Sequence, residues 1–449
     1  MIRAFHVAFM ALSLGALAPA PGHALALGAS PDSLTRATWR LSNGLIVKTQ
    51  HVPAASAVSI TMAYHGGSDG DPAGREGLAL LRAELAYTAA AGATPERTRQ
   101  ELRSLRPLGS EVKVTRTQTQ LTEVASLTQF PGVLHQVAER ARAVRVTPAS
   151  LAAALASLHE QQRDAYLEAP SRALYYDVAA LAAGMDSSAL RLLGQARGLD
   201  RIGVSEMQKQ IATAYVPANG VLSIAGNLDG PDLRALVERE FGSIPAGQVV
   251  PAAPHHRFVA SSVALSWPGL EGPVGCVGVF APSLRDTLHP VFYLTLLVVA
   301  SRLGVTWGPP TPPLQSRFQY SILDDPELIR FYPRLEPGDR SPAELGEALA
   351  DGLIANAMLV ADEESLESLR AGVGWLLGAP LPHEILPRFQ KTPGLLVLLS
   401  SSAASRELWG GEALWAPYRR LMDRCNIDGA GLVARTRNPR NQVRLMLTP

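Results

Sequence analysis

The segment Gly77–Glu84 reads Gly-Leu-Ala-Leu-Leu-Arg-Ala-Glu, and the fold of this 449-residue chain can be worked out from what lies on either side of it. Leucines recur at helical spacing over Leu78–Leu85, which predicts an apolar helix. Upstream, Leu41–Thr49 and Ala57–Ala63 carry the alternating, β-branched pattern of half-buried strands. A strand, a glycine-rich turn and an apolar helix recur further along the chain. This order of elements predicts an α+β fold.

The same segment resembles the zinc-binding helix of the M16 metallopeptidases, the family of insulinase and mitochondrial processing peptidase, which reads G-L-A-H-x-x-E-H. In that family the two histidines bind Zn²⁺, and the glutamate between them is the general base. Here Leu80 and Glu84 occupy the histidine positions, and Ala83 occupies the glutamate position. Leucine cannot ligate a metal, and alanine cannot take a proton from water. The resemblance therefore implies a peptidase fold that lacks peptidase chemistry.

Segments on both sides of this helix are similar to further M16 motifs and follow one another in the family's order. From the N-terminus they are Asn43–Val47 (N-G-L-x-V), the strand Ser59–Tyr64, the turn His65–Gly74, Tyr215–Asn219 (Y-x-P-x-N) with Leu222–Asp229, and Phe241–Pro245. The resemblance implies two homologous M16-type domains. In each, a mostly antiparallel sheet packs with helices.

The third zinc ligand of the family, a glutamate on a neighbouring helix, is also replaced. The family's spacing places Gln161 at this position, and a neutral amide is a poor ligand for Zn²⁺. An unusual metal site built from Glu84, Glu160, His159 and His65 is the alternative to solvated helix faces, but nothing in their spacing favours a ligand set. We therefore expect no metal and no cofactor in this chain, and zinc only in a partner subunit.

A later segment resembles the edge strand on which M16 peptidases bind a peptide by β-strand addition. Family members have G-x-x-x-N-A-x-T there, whereas this chain has a lysine in the asparagine position. The pattern of the strand is retained, so the resemblance implies a candidate peptide-binding edge that consists of Glu111, Val112, Lys113, Val114 and Thr115. Backbone pairing with a peptide remains available, but the side-chain contact of the asparagine is lost.

The second half of the chain repeats the order of the first. Ser262–Trp267 and Val274–Phe280 read as strands, and His289–Leu303 reads as a buried helix. Phe318–Ile322 resembles the family's G-L-A-Y-S strand and aligns Tyr320 with a tyrosine that reaches the active site of the other domain. The arginine that accompanies this tyrosine in the family has no equivalent here. Tyr320 is therefore either a contribution to a partner's site or a tyrosine of the core or strand face.

We divide the chain into a signal peptide (1–26), an N-terminal M16-like domain with the degenerate zinc helix (36–245), a linker (246–258) and a C-terminal M16-like domain (259–449). The linker is rich in proline, alanine and glycine and has no periodicity. Its adjacent histidines, His255 and His256, would point to opposite sides of an extended chain, so one metal could not readily bind both.

The N-terminus has the three regions of a secretory signal peptide, namely Arg3, the apolar run Ala8–Ala18 and the small residues around Ala24–Ala26. We expect cleavage after Ala24 or Ala26, and hence a periplasmic or secreted protein that is free of the membrane after processing. An uncleaved anchor is the alternative, but the apolar run is shorter than the ~20 residues that a membrane span needs.

Composition excludes other classes of function. The chain is 47% hydrophobic and 18% charged, as ordinary globular proteins are. Without residues 1–26 it carries 40 basic and 40 acidic residues, so it has no electrostatic reason to bind nucleic acid or an anionic membrane. Cys276 and Cys425 are the only cysteines, and they could form a disulfide or stay as two separate thiols.

Two functions agree with these features. The first is the non-catalytic subunit of a periplasmic, heterodimeric zinc peptidase that acts on peptides, in which this chain has no activity by itself and the partner carries H-x-x-E-H. The second is a stand-alone structural or peptide-binding scaffold of the same fold. A neighbouring gene for a secreted homologue with H-x-x-E-H would favour the first function. No G-x-S-x-G segment or catalytic cysteine setting indicates another kind of hydrolase.

Overall fold

A computed structural model of the chain describes residues 34–72, 74–75, 77–88, 109–163, 174, 177–178, 181–182, 184, 196–230, 232–249, 258–266, 270, 272–302, 317–319, 322–323, 327–332, 341–344, 346–347, 363–380 and 393–449. The signal peptide predicted over 1–26 lies outside these ranges. Among the helices in them, none has the length and apolar character that a membrane crossing requires.

The first half of the chain forms a six-stranded sheet with the strand order β1-β2-β6-β3-β5-β4. Its strands are β1 (Thr35–Arg40), β2 (Ile46–His51), β3 (Ala57–His65), β4 (Ser110–Val114), β5 (Gln118–Ser126) and β6 (Gly220–Gly226). Only β2 and β6 run parallel; the other neighbours are antiparallel. Strand β3 lies at the centre and is buried almost throughout, because its β-branched and aromatic residues face packed helices on both sides of the sheet.

The second half forms a five-stranded sheet with the order β7-β11-β8-β10-β9. Its strands are β7 (Ser261–Ser266), β8 (Val274–Phe280), β9 (Arg317–Gln319), β10 (Leu328–Tyr332) and β11 (Gln442–Thr448). The last strand of each half runs parallel to an early strand of that half and antiparallel to the next one. The two halves therefore share one sheet topology, and the α+β fold with two repeated domains is confirmed.

The helices lie mainly against these two sheets. They are α1 (Leu78–Thr88), α2 (Phe130–Arg142), α3 (Pro148–Arg163), α4 (Ala196–Leu199), α5 (Val204–Ala214), α6 (Leu233–Phe241), α7 (Leu288–Arg302), α8 (Glu363–Gly374), α9 (Pro393–Trp409), α10 (Gly411–Met422) and α11 (Gly429–Arg437). The largest core cluster joins one face of the first sheet to helices that include α1, α2, α3, α5 and α6. A second cluster joins the second sheet to helices that include α7 and α10.

Each sheet is covered on its other face by a helical segment from the opposite half of the chain. Helix α9 belongs to the second half but packs on β3, β6, β5 and β2 of the first sheet. In return, the helical residues Leu174, Val178, Leu181 and Ala182 pack in one cluster with residues of β8, β10 and β11. The exchange joins the two halves through buried side chains. The boundary predicted at 245/246 is not tested by this arrangement and stays a prediction.

The contact between α9 and the first sheet contains buried hydroxyl groups as well as apolar side chains. The Ser400 Oγ atom lies 2.9 Å from Ser59 Oγ and 2.8 Å from Thr61 Oγ1. Thr61 Oγ1 is also 3.0 Å from Thr122 Oγ1. Because every member has a partner, this polar seam satisfies groups that would otherwise be buried at a cost.

The two cysteines are separate. Cys276 is fully buried on β8 and Cys425 is partly exposed after α10, and both are free thiols. Burial raises the pKa of Cys276 to about 12, so this thiol stays protonated and unreactive at neutral pH.

Candidate functional site

Helix α1 carries the three residues that the motif resemblance aligns with the M16 zinc site, and hydrogen bonds with a preceding loop fix where the helix begins. The Asp71 carboxylate accepts hydrogen bonds from the backbone N–H groups of Gly77 and Ala79, both at 2.8 Å. Gly77 has a φ of +91°, a conformation that glycine adopts without steric cost. The first N–H groups of a helix have no partner within the helix, so the Asp71 side chain caps α1 from several residues upstream.

The degenerate positions differ in their exposure. Leu80 and Glu84 lie one helical turn apart on the partly exposed face of α1, whereas Ala83 is fully buried in the main core cluster. Leu80 packs against the same cluster. Ala83 and Leu80 thus both contribute to the hydrophobic core, at positions that the motif resemblance assigns to the general base and a zinc ligand.

Glu84 is the one ionisable group at these positions. Burial raises the pKa of its carboxyl group, and no neighbouring charge offsets this effect. Within the described ranges its carboxylate has no hydrogen-bond or ion-pair partner. The Thr88 hydroxyl donates to the backbone carbonyl of Glu84, at 2.7 Å, and leaves the side chain free.

The other residues of the sequence-based metal hypothesis lie on α3 and β3. Gln161 belongs to the last turn of α3, which packs against α1, but its side chain lies outside what the structure describes. Nε2 of His159 lies 3.5 Å from the Asp200 carboxylate, and Glu160 is exposed. Burial lowers the pKa of His65, which ends β3. No three His, Cys, Asp or Glu residues in the described ranges lie close enough together to hold a metal ion.

Behind the partly exposed face, α1 carries a buried arginine that the motif comparison did not single out. Arg82 is 9% exposed, and its Nη1 lies 3.5 Å from Gln210 Oε1 on α5. It also acts on Tyr215: burial raises the pKa of Tyr215, and the nearby Arg82 guanidinium opposes that shift. The rings of Tyr64 and Tyr215 are 4.8 Å apart. Arg82 could have been identified from the sequence, because it is a charged residue on the apolar side of a leucine-rich helix.

The candidate peptide-binding strand lies at an edge of the first sheet. Strand β4 pairs with β5, and no other described strand flanks it. Val112 lies opposite Leu121, which belongs to the core cluster shared with α1. Lys113 lies opposite Gln120, whose amide donates to Ser405 of α9 at 2.7 Å. Side chains alternate along a strand, so Val112 is on the α1 side of the sheet and Lys113 is on the α9 side.

Thr115, the last residue of the predicted peptide-binding edge, belongs to the turn that follows β4 and not to the strand. Its N–H donates to the carbonyl of Gln118 at 2.9 Å, and its hydroxyl accepts from the N–H groups of Thr117 and Gln118. These local bonds compete with strand pairing and end β4 at Val114. The Thr115 carbonyl accepts from the N–H of Ser68, so this turn is joined to the loop before α1.

Tyr320 follows β9, the short edge strand of the second sheet. The tyrosine itself lies outside the described residues, so its role stays open. Of the predicted strand Phe318–Ile322, the first two residues belong to β9, residues 320–321 lie outside the described ranges, and Ile322 lies in a turn.

Solved structures similar to this chain are M16-like peptidases. A protease from Helicobacter pylori matches with a TM-score of 0.71 and 12% identity, over 93% of this chain and 100% of that one. An inactive M16 peptidase domain from Pseudomonas fluorescens matches with a TM-score of 0.62 and 14% identity, over 93% and 98%. The periplasmic protease PqqL from Escherichia coli matches with a TM-score of 0.63 and 14% identity, over 94% of this chain but 48% of that one.

These comparisons establish the fold. No protein-family model and no curated protein sequence matches the chain. The identities to the solved structures are low, so the similarity is one of architecture. The M16-like fold that the motifs implied is confirmed, and the chain spans about half the length of PqqL.

Proposed function

We propose that this chain is the non-catalytic subunit of a periplasmic, heterodimeric zinc peptidase of the M16 type that acts on peptides. The observation that carries the proposal is that α1 packs in the main core cluster of an M16-like fold, while the motif resemblance aligns its Leu80 with a zinc ligand and its Ala83 with the general base. A leucine and a buried alanine cannot activate water. The chain keeps the architecture and lacks the chemistry.

The lengths of similar proteins support a paired arrangement. PqqL is about twice as long as the part of it that matches this chain, so its single polypeptide has room for two such units. The inactive M16 domain from Pseudomonas fluorescens is a unit of nearly the same length as this chain. A catalytic and a non-catalytic unit on separate chains would be the two-gene form of this arrangement.

The compartment is proposed from the N-terminus. Arg3, the apolar run Ala8–Ala18 and the small residues near Ala24–Ala26 are typical of an export signal. PqqL, which has the same fold, is periplasmic. Zinc would then be held by the partner and not by this chain.

Co-purification from the native host, followed by mass spectrometry, tests the subunit role. We expect a stable 1:1 complex with a secreted homologue that carries H-x-x-E-H, with a buried interface well above ~1,600 Å², as in obligate pairs. If such a homologue is present and this chain nevertheless elutes alone, the proposal fails. It also fails if deleting this chain leaves the peptidase activity of the homologue unchanged, which would favour the stand-alone scaffold.

A substitution at Tyr320 asks whether this chain contributes a group to its partner's site. In the reconstituted pair, Tyr320→Phe removes only the hydroxyl. A large fall in turnover with the complex intact would assign Tyr320 to the partner's chemistry. An unchanged turnover would return it to a structural role.

A further inference from the structure

Glu84 is a partly buried carboxylate for which the described residues provide no partner. The nearest basic residue on its own helix, Arg82, lies in the buried side of α1 and is directed towards Gln210. On the neighbouring helix α3, Glu160 is exposed and has the same charge. The side chain of Lys113 lies on the opposite side of the sheet. A carboxylate that has lost part of its hydration is stabilised by a cation that forms an ion pair or hydrogen bond with it.

This carboxylate lies on the helix that packs against β4, the edge of the first sheet that no described strand flanks. Helix α1 contacts β4 directly. Val112 and Val114 of β4 and Leu80 of α1 pack at the rim of the same core cluster. The partly buried side chains that β4 and α1 contribute here are thus apolar, and Glu84 lies one helical turn beyond Leu80.

An extended peptide that adds to β4 would place every second side chain on the α1 side of the sheet. Those side chains would pass over Val112, Val114 and Leu80. The aliphatic stem of a lysine or arginine can cover such apolar surface while its charged end reaches outward. The charged end would then meet Glu84.

We propose that the surface formed by β4 and α1 selects extended peptides with a lysine or arginine on the side that faces α1. Glu84 is the residue that determines this specificity. The inference rests on the proposed peptide-binding role of the subunit. Where the family has a histidine that holds a metal cation, this chain would hold the cation of its ligand.

Fluorescence anisotropy with the mature, full-length protein tests the proposal. The probes are labelled peptides of alternating threonine and serine that share one sequence and differ only at a central lysine, methionine or glutamate. We expect the lysine peptide to bind about tenfold more tightly than the methionine peptide, as a charge-assisted hydrogen bond provides. The glutamate peptide should bind more weakly than both.

Variants assign the selectivity to one residue. Glu84→Gln keeps the shape of the side chain and should make the lysine and methionine peptides equivalent, whereas Glu84→Lys should favour the glutamate peptide. Glu160→Gln, on the exposed face of the adjacent helix, is the matched control and should keep the preference of the parent protein. Thermal unfolding of each variant shows whether it is folded.

Equal binding of the lysine and methionine peptides to the parent protein would overturn the inference, and so would a preference that survives in Glu84→Gln. In either case the subunit role is judged separately by co-purification, because that complex does not depend on the class of peptide. If the complex forms and no lysine preference is seen, only the specificity proposal fails.

Discussion

Ala83 and Leu80 belong to the hydrophobic core at positions where the M16 resemblance predicts a general base and a zinc ligand. Ala83 is fully buried, and Leu80 packs on the cluster that joins α1 to the first sheet. On the predicted alignment, an active relative has polar groups here that must stay accessible to metal and water. Leucine and alanine at these positions would then replace that chemistry by apolar burial, which is worth about 25 cal/mol per Å² of buried apolar surface.

We expect the mature protein to contain no stoichiometric zinc and to cleave no peptide by itself. Restoring the family residues together, as Leu80→His, Ala83→Glu, Glu84→His and Gln161→Glu, should create zinc binding that metal analysis after dialysis can detect. Without zinc this variant should be less stable than the parent, because a carboxylate replaces the buried Ala83 methyl group.

Leu80→His alone is the control, since one histidine beside Glu84 offers too few ligands for a tetrahedral site. About one tightly bound zinc ion per chain in the parent protein, lost in Glu84→Gln, would contradict the assignment of these positions.

At the scale of elements, the polar seam between α9 and the first sheet makes a contribution to the free energy of unfolding that can be measured. The Ser400 hydroxyl bridges Ser59 and Thr61 in a fully buried setting. Removing it leaves a buried hydroxyl without its partner, and such a group costs about 1–3 kcal/mol.

Ser400→Ala should therefore lower the free energy of unfolding by roughly 1–3 kcal/mol in denaturant titrations. Ser401→Ala is the matched control. Its partly exposed hydroxyl bonds only the Leu398 carbonyl of its own helix, at 3.3 Å, so the change should stay within about 0.5 kcal/mol. Equal effects of the two substitutions would mean that the seam does not stabilise the contact.

Local patterns predicted many elements of the fold. The strand Val274–Phe280 agrees with β8 in both bounds, and the helix predicted over His289–Leu303 differs from α7 by one residue at each end. Such elements can be predicted because burial of one face or of both faces leaves a recognisable pattern of apolar residues in the sequence. The end of β4 was placed too late, since Thr115 makes local hydrogen bonds that a strand pattern does not reveal.

The partners of an element were harder to predict than its existence. The sequence Pro393–Trp409 gives no sign that the helix covers the first sheet and not the second. The serines of this helix indicate its partner only once the structure shows that hydroxyl groups of β3 and β5 face them. In the candidate site, the replaced positions are predicted from the motif and stay a prediction, whereas the burial of Arg82 against Gln210 depends on the packing of α5 and could not be predicted.

At the scale of the whole molecule, the exchange of helical segments makes each half depend on the other. We expect a fragment of residues 27–245 to lack a cooperative unfolding transition and to bind a dye for exposed apolar surface. One face of its sheet would lack α9, and its residues Leu174 and Val178 would lack the sheet of the second half. Co-expression with residues 246–449 should restore both properties. A fragment that unfolds cooperatively with the midpoint of the intact chain would contradict this interdependence.

The same exchange of helical segments determines how early the first sheet can complete its folding while the chain is being synthesised. A ribosome adds ~5–20 residues per second, so roughly 10–40 s separate the completion of β6 at Gly226 from the arrival of α9, which ends at Trp409. During that interval the first sheet has one face that α9 does not yet cover. A nascent chain in this condition is a substrate for chaperones that hold unfolded proteins, and delayed folding is also what keeps a chain competent for translocation. The late position of α9 in the chain would thus delay complete folding of the first sheet, a condition that the proposed export requires.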